Sequence, residues 1–207
     1  MVRQEFKTFA GSSRAEINRK GSRFVGVGES CESSEELEDQ RSKLSEEFPK
    51  ATHIASGSVI LESDRPVERY DNDGEPSGTA GEPILQVIVG KGLINCAIFV
   101  VRYFGGTELG TGGLVRAYSD AARKVIDGGK IVTRQERREY DVSFPYSFTG
   151  KVSRLLAEFS EVKVIARDYE ERAGLTLSVP VTEKDLFRKK LRNLTSGAVE
   201  INRKKQN

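Results

Sequence analysis

Cys96-Ala-Ile-Phe-Val-Val-Arg-Tyr-Phe-Gly-Gly-Thr-Glu-Leu-Gly-Thr-Gly-Gly-Leu-Val-Arg-Ala-Tyr118 passes from an unbroken apolar run, through a glycine-rich loop, into a stretch with helical spacing. The run Cys96–Val101 shows no alternation, the pattern of a strand buried on both faces. From Leu114 to about Ile126, residues Leu114, Tyr118, Ala121 and Val125 share one helical face, and Asp127-Gly128-Gly129 stops the helix. A strand covered on both sides and followed by an amphipathic helix belongs to a layered sheet-and-helix fold.

Upstream, Pro83–Val89 reads as a short helix closed by Gly90 and Gly92, with Pro83 in the first turn, where its missing N–H costs nothing. Before it stands a second glycine-rich loop, Asp71-Asn72-Asp73-Gly74-Glu75-Pro76-Ser77-Gly78-Thr79-Ala80-Gly81. His53–Leu61 and Val67–Tyr70 are short strands separated by the turn residues Ser63-Asp64-Arg65-Pro66. Ser33 with Glu36 forms a capping box at the start of a helix whose Leu37, Leu44 and Phe48 make one stripe, with Pro49 just past its end. Arg14–Asn18 and Ser22–Glu29 read as a hairpin turning at Gly21.

Downstream the pattern is strand (Arg137–Phe144), helix (Ser147–Phe159), strand (Val162–Tyr169), strand (Gly174–Pro180), helix (Thr182–Leu194) and strand (Ala198–Asn202). This is the βαββαβ order of a ferredoxin-like, split-βαβ unit. The expectation is an α+β protein of two small domains, residues 1–134 and 135–207, joined near Gly128–Arg134.

With 207 residues, 37% hydrophobic and 31% charged, the chain fits a globular class rather than a fibrous or disordered one. No run approaches the ~18 apolar residues of a spanning helix, and Met1-Val2-Arg3-Gln4-Glu5-Phe6-Lys7 lacks the apolar core of a signal peptide, so a cytoplasmic protein without membrane contact is expected. Cys31 and Cys96 lack the paired spacing of a zinc site and read as buried thiols. The 33 Lys and Arg against 31 Asp and Glu exclude a histone-like, wholly electrostatic nucleic-acid binder. The charge is uneven: residues 1–134 carry 18 basic and 20 acidic side chains, residues 135–207 carry 15 and 11, so polyanion contact should favour the C-terminal part.

Ten of the 20 glycines fall between Gly74 and Gly113. Glycine weakens helices and strands, so such clustering marks loops that need positive φ or close approach of a ligand. Each loop runs into a helix start, where free N–H groups and the positive dipole end favour an anion. The hydroxyls of Ser77, Thr79 and Thr111, with Arg102 and Arg116 nearby in sequence, would complete a phosphate site. Tight turns alone account for many glycine loops; two of them in one small domain point to a ligand surface. In the C-terminal half, Lys184, Arg188, Lys189, Lys190 and Arg192 lie on one helix, with Arg203-Lys204-Lys205 after the last strand. A solvated helix face is the common meaning of such a run; tracking a phosphate backbone is the alternative.

Sharper motifs fail on their own requirements. No Gly-x-x-x-x-Gly-Lys-Ser/Thr occurs, so the P-loop is missing. Aligning Gly74 with the sixth place of a calcium loop puts Arg69 first and Ala80 twelfth, where carboxylates belong. Lys20-Gly21-Ser22-Arg23-Phe24-Val25 lacks the stacking aromatic of an RNA-recognition strand. His53, the single histidine, is more often a hydrogen-bonded structural residue at a strand start, and no nucleophile elbow surrounds Ser77. Asp73 and Glu75 could do acid–base work, although a solvated turn is the commoner use of such a pair.

Three blocks, Asp73-Gly-Glu-Pro-Ser-Gly-Thr-Ala-Gly81-Glu-Pro83, Val101-Arg-Tyr-Phe-Gly-Gly106 and Leu109-Gly-Thr-Gly-Gly-Leu-Val-Arg-Ala-Tyr118, together with Ser22-Arg23-Phe24 and Thr52-His53, resemble the IMPACT/YigZ family in order and spacing. The resemblance implies an N-terminal domain with the fold of the second domain of ribosomal protein S-five, and a ferredoxin-like C-terminal domain similar to the last domain of elongation factor G. Many family members carry a cysteine two residues after the histidine, where this chain has Ala55. Eukaryotic members also carry an RWD domain that binds the activator of the starvation-responsive initiation-factor kinase; none is expected ahead of the hairpin here, so a general link to translation is what carries over.

The leading expectation is a non-enzymatic, translation-associated regulatory or binding protein contacting RNA, the ribosome or another phosphate-bearing partner. The candidate ligand-binding residues are His53, Asp73, Gly74, Glu75, Pro76, Ser77, Gly78, Thr79, Ala80, Gly81, Arg102, Tyr103, Phe104, Gly105, Gly106, Gly110, Thr111, Gly112, Gly113 and Arg116, and the polyanion-contact residues are Lys184, Arg188, Lys189 and Arg192. No catalytic residue, metal site or cofactor is assigned, and the oligomeric state is open. The alternative is an enzyme or small-molecule binder holding a nucleotide or phosphate ester in the same loops, with Asp73, Glu75 or His53 in acid–base roles.

Overall fold

The computed structural model describes residues 5–62, 65–169 and 171–204. The turn residues Ser63 and Asp64, and Lys205 of the basic tail, lie outside the described residues. The chain is a mixed α+β protein with several sheets. It divides into one compact unit spanning Phe6–Arg134, which takes in all but the end residues Glu5 and Gln135 of its first and last strands, and a second formed by Glu5 and the chain from Gln135 onward.

The first unit contains β1 (Glu5–Phe9), β2 (Ser13–Arg19), β3 (Ser22–Ser30), α1 (Ser34–Glu47), β4 (His53–Glu62), β5 (Arg65–Asp71), α2 (Gly81–Gly90), β6 (Cys96–Tyr103), α3 (Thr111–Gly128) and β7 (Ile131–Gln135). Five strands form an antiparallel sheet in the order β2-β3-β6-β4-β5. The apolar run Cys96–Val101 lies in β6 at its centre, buried on both faces. On one face α2 and α3 bring Ile84, Ile88, Ala121 and Val125 against Phe24, Ile98 and Val100. On the other, Leu44 of α1, with Leu37 and Phe48 at its flank, packs on Val27, Phe99 and Val101. Fully burying one such side chain stabilises by about 1.5–3 kcal/mol. Cys31 and Cys96 are free, buried and assigned to cores on opposite faces.

Half of the capping box forms: Ser33 Oγ accepts from Glu36 N at 3.1 Å, whereas the Glu36 carboxylate reaches past the N-cap and accepts from Glu32 N at 2.8 Å. Three local readings are corrected and two strands are added. Arg65 and Pro66 belong to β5 rather than to a turn, and β5 is an edge strand, where a proline withholds no ladder bond. Helix α3 begins at Thr111, before the apolar periodicity does, because its first turn is Gly112-Gly113 with no side chain to pattern; Leu114 N bonds to Gly110 O at 3.0 Å. Tyr146–Phe148 forms a separate 3-10 turn before α4 instead of merging into one helix. Strands β1 and β7, which pair as a two-stranded sheet, are too short for their patterns to stand out from the polar segments around them.

The second unit contains β8 (Arg137–Phe144), α4 (Thr149–Glu158), β9 (Lys163–Tyr169), β10 (Ala173–Pro180), α5 (Lys184–Leu194) and β11 (Glu200–Arg203). Its four strands form an antiparallel sheet ordered β11-β8-β10-β9. Tyr140, Val142, Phe144 and Leu177 face Val152, Leu155, Phe187 and Leu191 of the two helices. Phe159 and Phe187 meet edge to face with centroids 5.2 Å apart. No described helix is long and apolar enough to cross a membrane.

Candidate functional site

The first glycine-rich loop is fastened from several sides. Asp71 accepts from Asp73 N at 2.9 Å, a local turn bond that suits an acidic residue. Asn72 Oδ1 accepts from Gly81 N at 2.9 Å and so takes up a free N–H at the start of α2. Thr79 Oγ1 donates to Pro76 O at 2.6 Å. Arg41, projecting from α1, pairs with Asp71 at 2.5 Å and with Asp73 Oδ1 at 2.7 Å, while Asp73 Oδ2 accepts from Ile54 N at 2.6 Å. Both oxygens of Asp73 are therefore spent on holding the loop to β4 and α1. Pro76 and Ser77 stay exposed, Gly74 is exposed at φ +83°, and Ala80 is buried.

Glu75 turns inward. Its Oε1 accepts from Arg102 Nη1 at 2.5 Å and from the Tyr118 hydroxyl at 2.7 Å, and all three side chains are buried. The Arg102 guanidinium lies 5.6 Å from the centroids of both Phe24 and Phe104, and Phe24 meets Tyr118 edge to face at 5.2 Å. Burial, then the neighbouring Glu75, pushes the Tyr118 phenol far above its ordinary pKa. Arg102, grouped by sequence with the cations of a phosphate site, is thus engaged by Glu75.

His53 is half-buried. Its Nδ1 lies 2.6 Å from Asp73 O, and because a carbonyl only accepts, Nδ1 carries the proton. In the neutral ring Nε2 is then the acceptor, 3.9 Å from Glu75 Oε1. The bland expectation of a hydrogen-bonded strand residue describes half of this geometry; the facing of Nε2 towards Glu75 is the other half.

The second loop is docked on the β2–β3 turn. Phe104 N donates to Thr52 Oγ1 at 3.0 Å and Gly105 N to Ser22 Oγ at 3.2 Å. Gly105 lies against Gly21 so closely that a Cβ on it would sit 1.9 Å from the Gly21 carbonyl carbon, which only glycine permits. Tyr103 is half-buried beneath Arg23, 5.6 Å from ring centroid to guanidinium, and Gly106 is exposed. Beyond the loop, Gly110, Thr111, Gly112, Gly113 and Arg116 form the start of α3, which has no side-chain cap. Arg116, Gly112 and Gly113 line a cavity of about 360 Å³ with Arg19, Lys20 and Asp120. Asp120 is paired with Arg19 at 3.3 Å. On the other side of α3, Gly78 opens on a groove of about 610 Å³ beside Glu82, Gln86, Val115 and Ser119.

In the second unit the basic run on α5 splits in two. Lys184, Arg188 and Arg192 recur every fourth residue and share one flank of the buried Phe187–Leu191 stripe. Lys190 lies on the other flank, paired with Glu158 at 2.9 Å and over the Phe159 ring. Arg188 stacks on Tyr140 at 5.5 Å, and Lys189 is exposed. Among the described residues, no group of three or more His, Cys, Asp and Glu is placed to hold a metal ion.

Three features of the site escape the sequence reading. Tyr118 reads as a core residue of an amphipathic face, Arg41 carries no local signal at all, and Lys20 looks like an ordinary turn residue. Only its place at the end of the third block of motif residues sets Tyr118 apart from its helical neighbours.

Residues 20–126 match the family described as the Impact N-terminal domain, and residues 142–198 match a domain of unknown function, DUF1949. The chain is 33% identical over 186 residues to the IMPACT family member YvyE of Bacillus subtilis, covering 90% of this chain and 85% of that one. It is 29% identical over 183 residues to the IMPACT family member YigZ of Escherichia coli, covering 88% and 89% respectively. A crystal structure titled as that of a hypothetical protein aligns over 100% of both chains with a TM-score of 0.77 at 26% identity.

Proposed function

This chain belongs to the IMPACT family, and from that premise we propose that it is a non-enzymatic binding protein of the translation apparatus, contacting RNA, the ribosome or another phosphate-bearing surface from the cytoplasm. The family resemblance supports a first unit like the second domain of ribosomal protein S-five and a ferredoxin-like second unit like the last domain of elongation factor G, both folds of the translation machinery. The observation that carries the reading is the second loop: docked on the β2–β3 turn, it leaves Lys20 and Arg116 lining an open cavity beside the uncapped start of α3. The basic flank of α5 adds charge of the same sign. The first loop serves the binding surface as scaffold, since its Asp73 and Glu75 carboxylates are bonded within the protein.

The reading is tested by co-sedimentation of the full chain with purified ribosomes. Association at low salt that falls steeply as salt rises is expected, because each neutralised phosphate releases counterions. No association at low salt overturns it. A second reading is favoured by His53 Nε2, which lies 3.9 Å from Glu75 Oε1 beside the loops: an enzyme or small-molecule binder for a nucleotide or phosphate ester. It requires thermal stabilisation by a nucleotide that is weakened in Arg116→Ala, and fails if no nucleotide stabilises the protein.

A further inference from the structure

We infer that Phe104 and the cationic cavity beside it form a site for single-stranded RNA, the ring stacking a base while Lys20 and Arg116 hold the adjoining phosphate; this rests on the polyanion reading above and narrows it to one ligand class. Phe104 is 50% exposed, although a benzyl side chain of that size gains most by burial. It stands at the start of the second glycine-rich loop, and its ring lies 5.6 Å from the Arg102 guanidinium. Arg102 is itself clamped by Glu75, so the ring has a fixed support rather than a mobile one. A flat aromatic surface held rigidly at the protein surface is what base stacking requires.

The phosphate-binding half is set beside it by the interlocked glycines. Phe104 is followed by Gly105, whose backbone abuts Gly21, and Gly21 follows Lys20. Lys20 and Arg116 line the same cavity, and the one carboxylate there, Asp120, is already paired with Arg19. Among the described residues, Lys20 and Arg116 thus remain for a ligand. Gly112, in the cavity wall, has a backbone that any residue adopts and open space where a Cβ would stand, so neither the fold's dihedrals nor its packing require a glycine there. Its bare backbone leaves room for close approach of a ligand beside Arg116. A base already stacked within a duplex is unavailable to Phe104, which selects the single strand.

The chain contains no tryptophan, so Phe104→Trp in the full-length protein places one indole at the site as its own reporter. Titration with a short oligoadenylate should quench and shift the indole emission, while the same strand in a duplex and inorganic phosphate should leave it unmoved. By anisotropy of the labelled single strand, Phe104→Ala should bind about tenfold more weakly or worse, Phe104→Tyr should restore binding, and Lys20→Ala with Arg116→Ala should lower the salt slope by about one per cation removed. Circular dichroism and the melting midpoint of each variant separate loss of binding from loss of fold. An unmoved indole at saturating oligoadenylate, wild-type affinity in Phe104→Ala, or equal binding of duplex or polyglutamate overturns the inference. Salt-sensitive ribosome association that survives Phe104→Ala would remove this site and leave the polyanion reading standing; failure of the wild type to associate at all strikes that reading first.

Discussion

The Tyr118 hydroxyl donates to Oε1 of Glu75 across 2.7 Å, so that helix α3 and the first glycine-rich loop are joined at a buried oxygen that Arg102 of β6 also holds. Three elements distant in sequence meet at one carboxylate, and each partner removed leaves the others buried and unsatisfied. Tyr118→Phe deletes a hydrogen bond to a charged group and should cost about 1.5–3 kcal/mol in urea unfolding. Glu75→Ala leaves the Arg102 charge buried without its partner and should cost more, about 3–5 kcal/mol. A Glu75→Ala variant as stable as Tyr118→Phe would show that Arg102 relaxes to solvent instead.

Alkaline pH should loosen the first unit through its two thiols. Burial pushes Cys31 and Cys96 each up to about 12 from an ordinary 9.0. Between those values the unfolded chain has lost both protons and the native chain has kept them, so the unfolded state binds fewer protons and stability falls as pH rises. Below pH 9 the contribution is fully present. Each thiol should steepen the fall towards about 1.4 kcal/mol per pH unit across that window. Urea midpoints of a Cys31→Ala, Cys96→Ala double variant should decline more gently from pH 9 to 11 than those of the wild type, and parallel slopes would refute the assignment.

Much of this architecture is legible in sequence because burial writes itself into composition. The unbroken run Cys96–Val101 announces a strand at the centre of a sheet, and the spacing of Leu114, Tyr118, Ala121 and Val125 announces the helix that covers it. Strands β1 and β7 leave no such mark, because a five-residue strand pairing at the margin needs few apolar positions. At the site, glycine density identifies the loops but not the bonds within them. Whether Arg102 is a free cation or a buried counter-ion depends on Glu75 and Tyr118, which lie 27 and 16 positions away from it in the chain and are brought to it only by tertiary packing. Arg41 fastens Asp71 and Asp73 from a helix surface that sequence periodicity marks only as polar.

Two glycines of the second loop should respond oppositely to alanine. At Gly105 a Cβ would fall 1.9 Å from the Gly21 carbonyl carbon, a backbone atom that moves only with the whole β2–β3 turn. Gly105→Ala should therefore cost at least about 1–3 kcal/mol, the range of overpacking penalties, in thermal or urea unfolding. At Gly112 a Cβ meets nothing within 4 Å, and alanine in the first turn of α3 should raise stability by up to about 1 kcal/mol. A Gly112→Ala chain that is more stable yet binds RNA more weakly would separate the needs of the fold from those of the ligand.

The basic face of α5 divides into two flanks, one of which carries Lys184 and Arg192 beside the Tyr140-stacked Arg188, and the other an ion-paired Lys190. Lys184, Arg188 and Arg192 stand on one side of the Phe187–Leu191 stripe, whereas Lys190 on the other is held by Glu158 at 2.9 Å. If the second unit contacts a polyanion, each residue of the first flank that meets a phosphate sets part of the salt slope, and replacing it should lower that slope by about one. Lys184→Gln and Arg192→Gln should each do so for ribosome or RNA association, with little effect on stability because neither side chain is buried in the core. Lys190→Gln should leave the slope unchanged, since that cation is already held within the protein by Glu158 and over the Phe159 ring; the exposed ion pair itself is worth about 0.2–1 kcal/mol. Equal effects of all three substitutions would mean that the helix contributes net charge at long range, with no defined contact face; a flat response would place the polyanion contact wholly in the first unit.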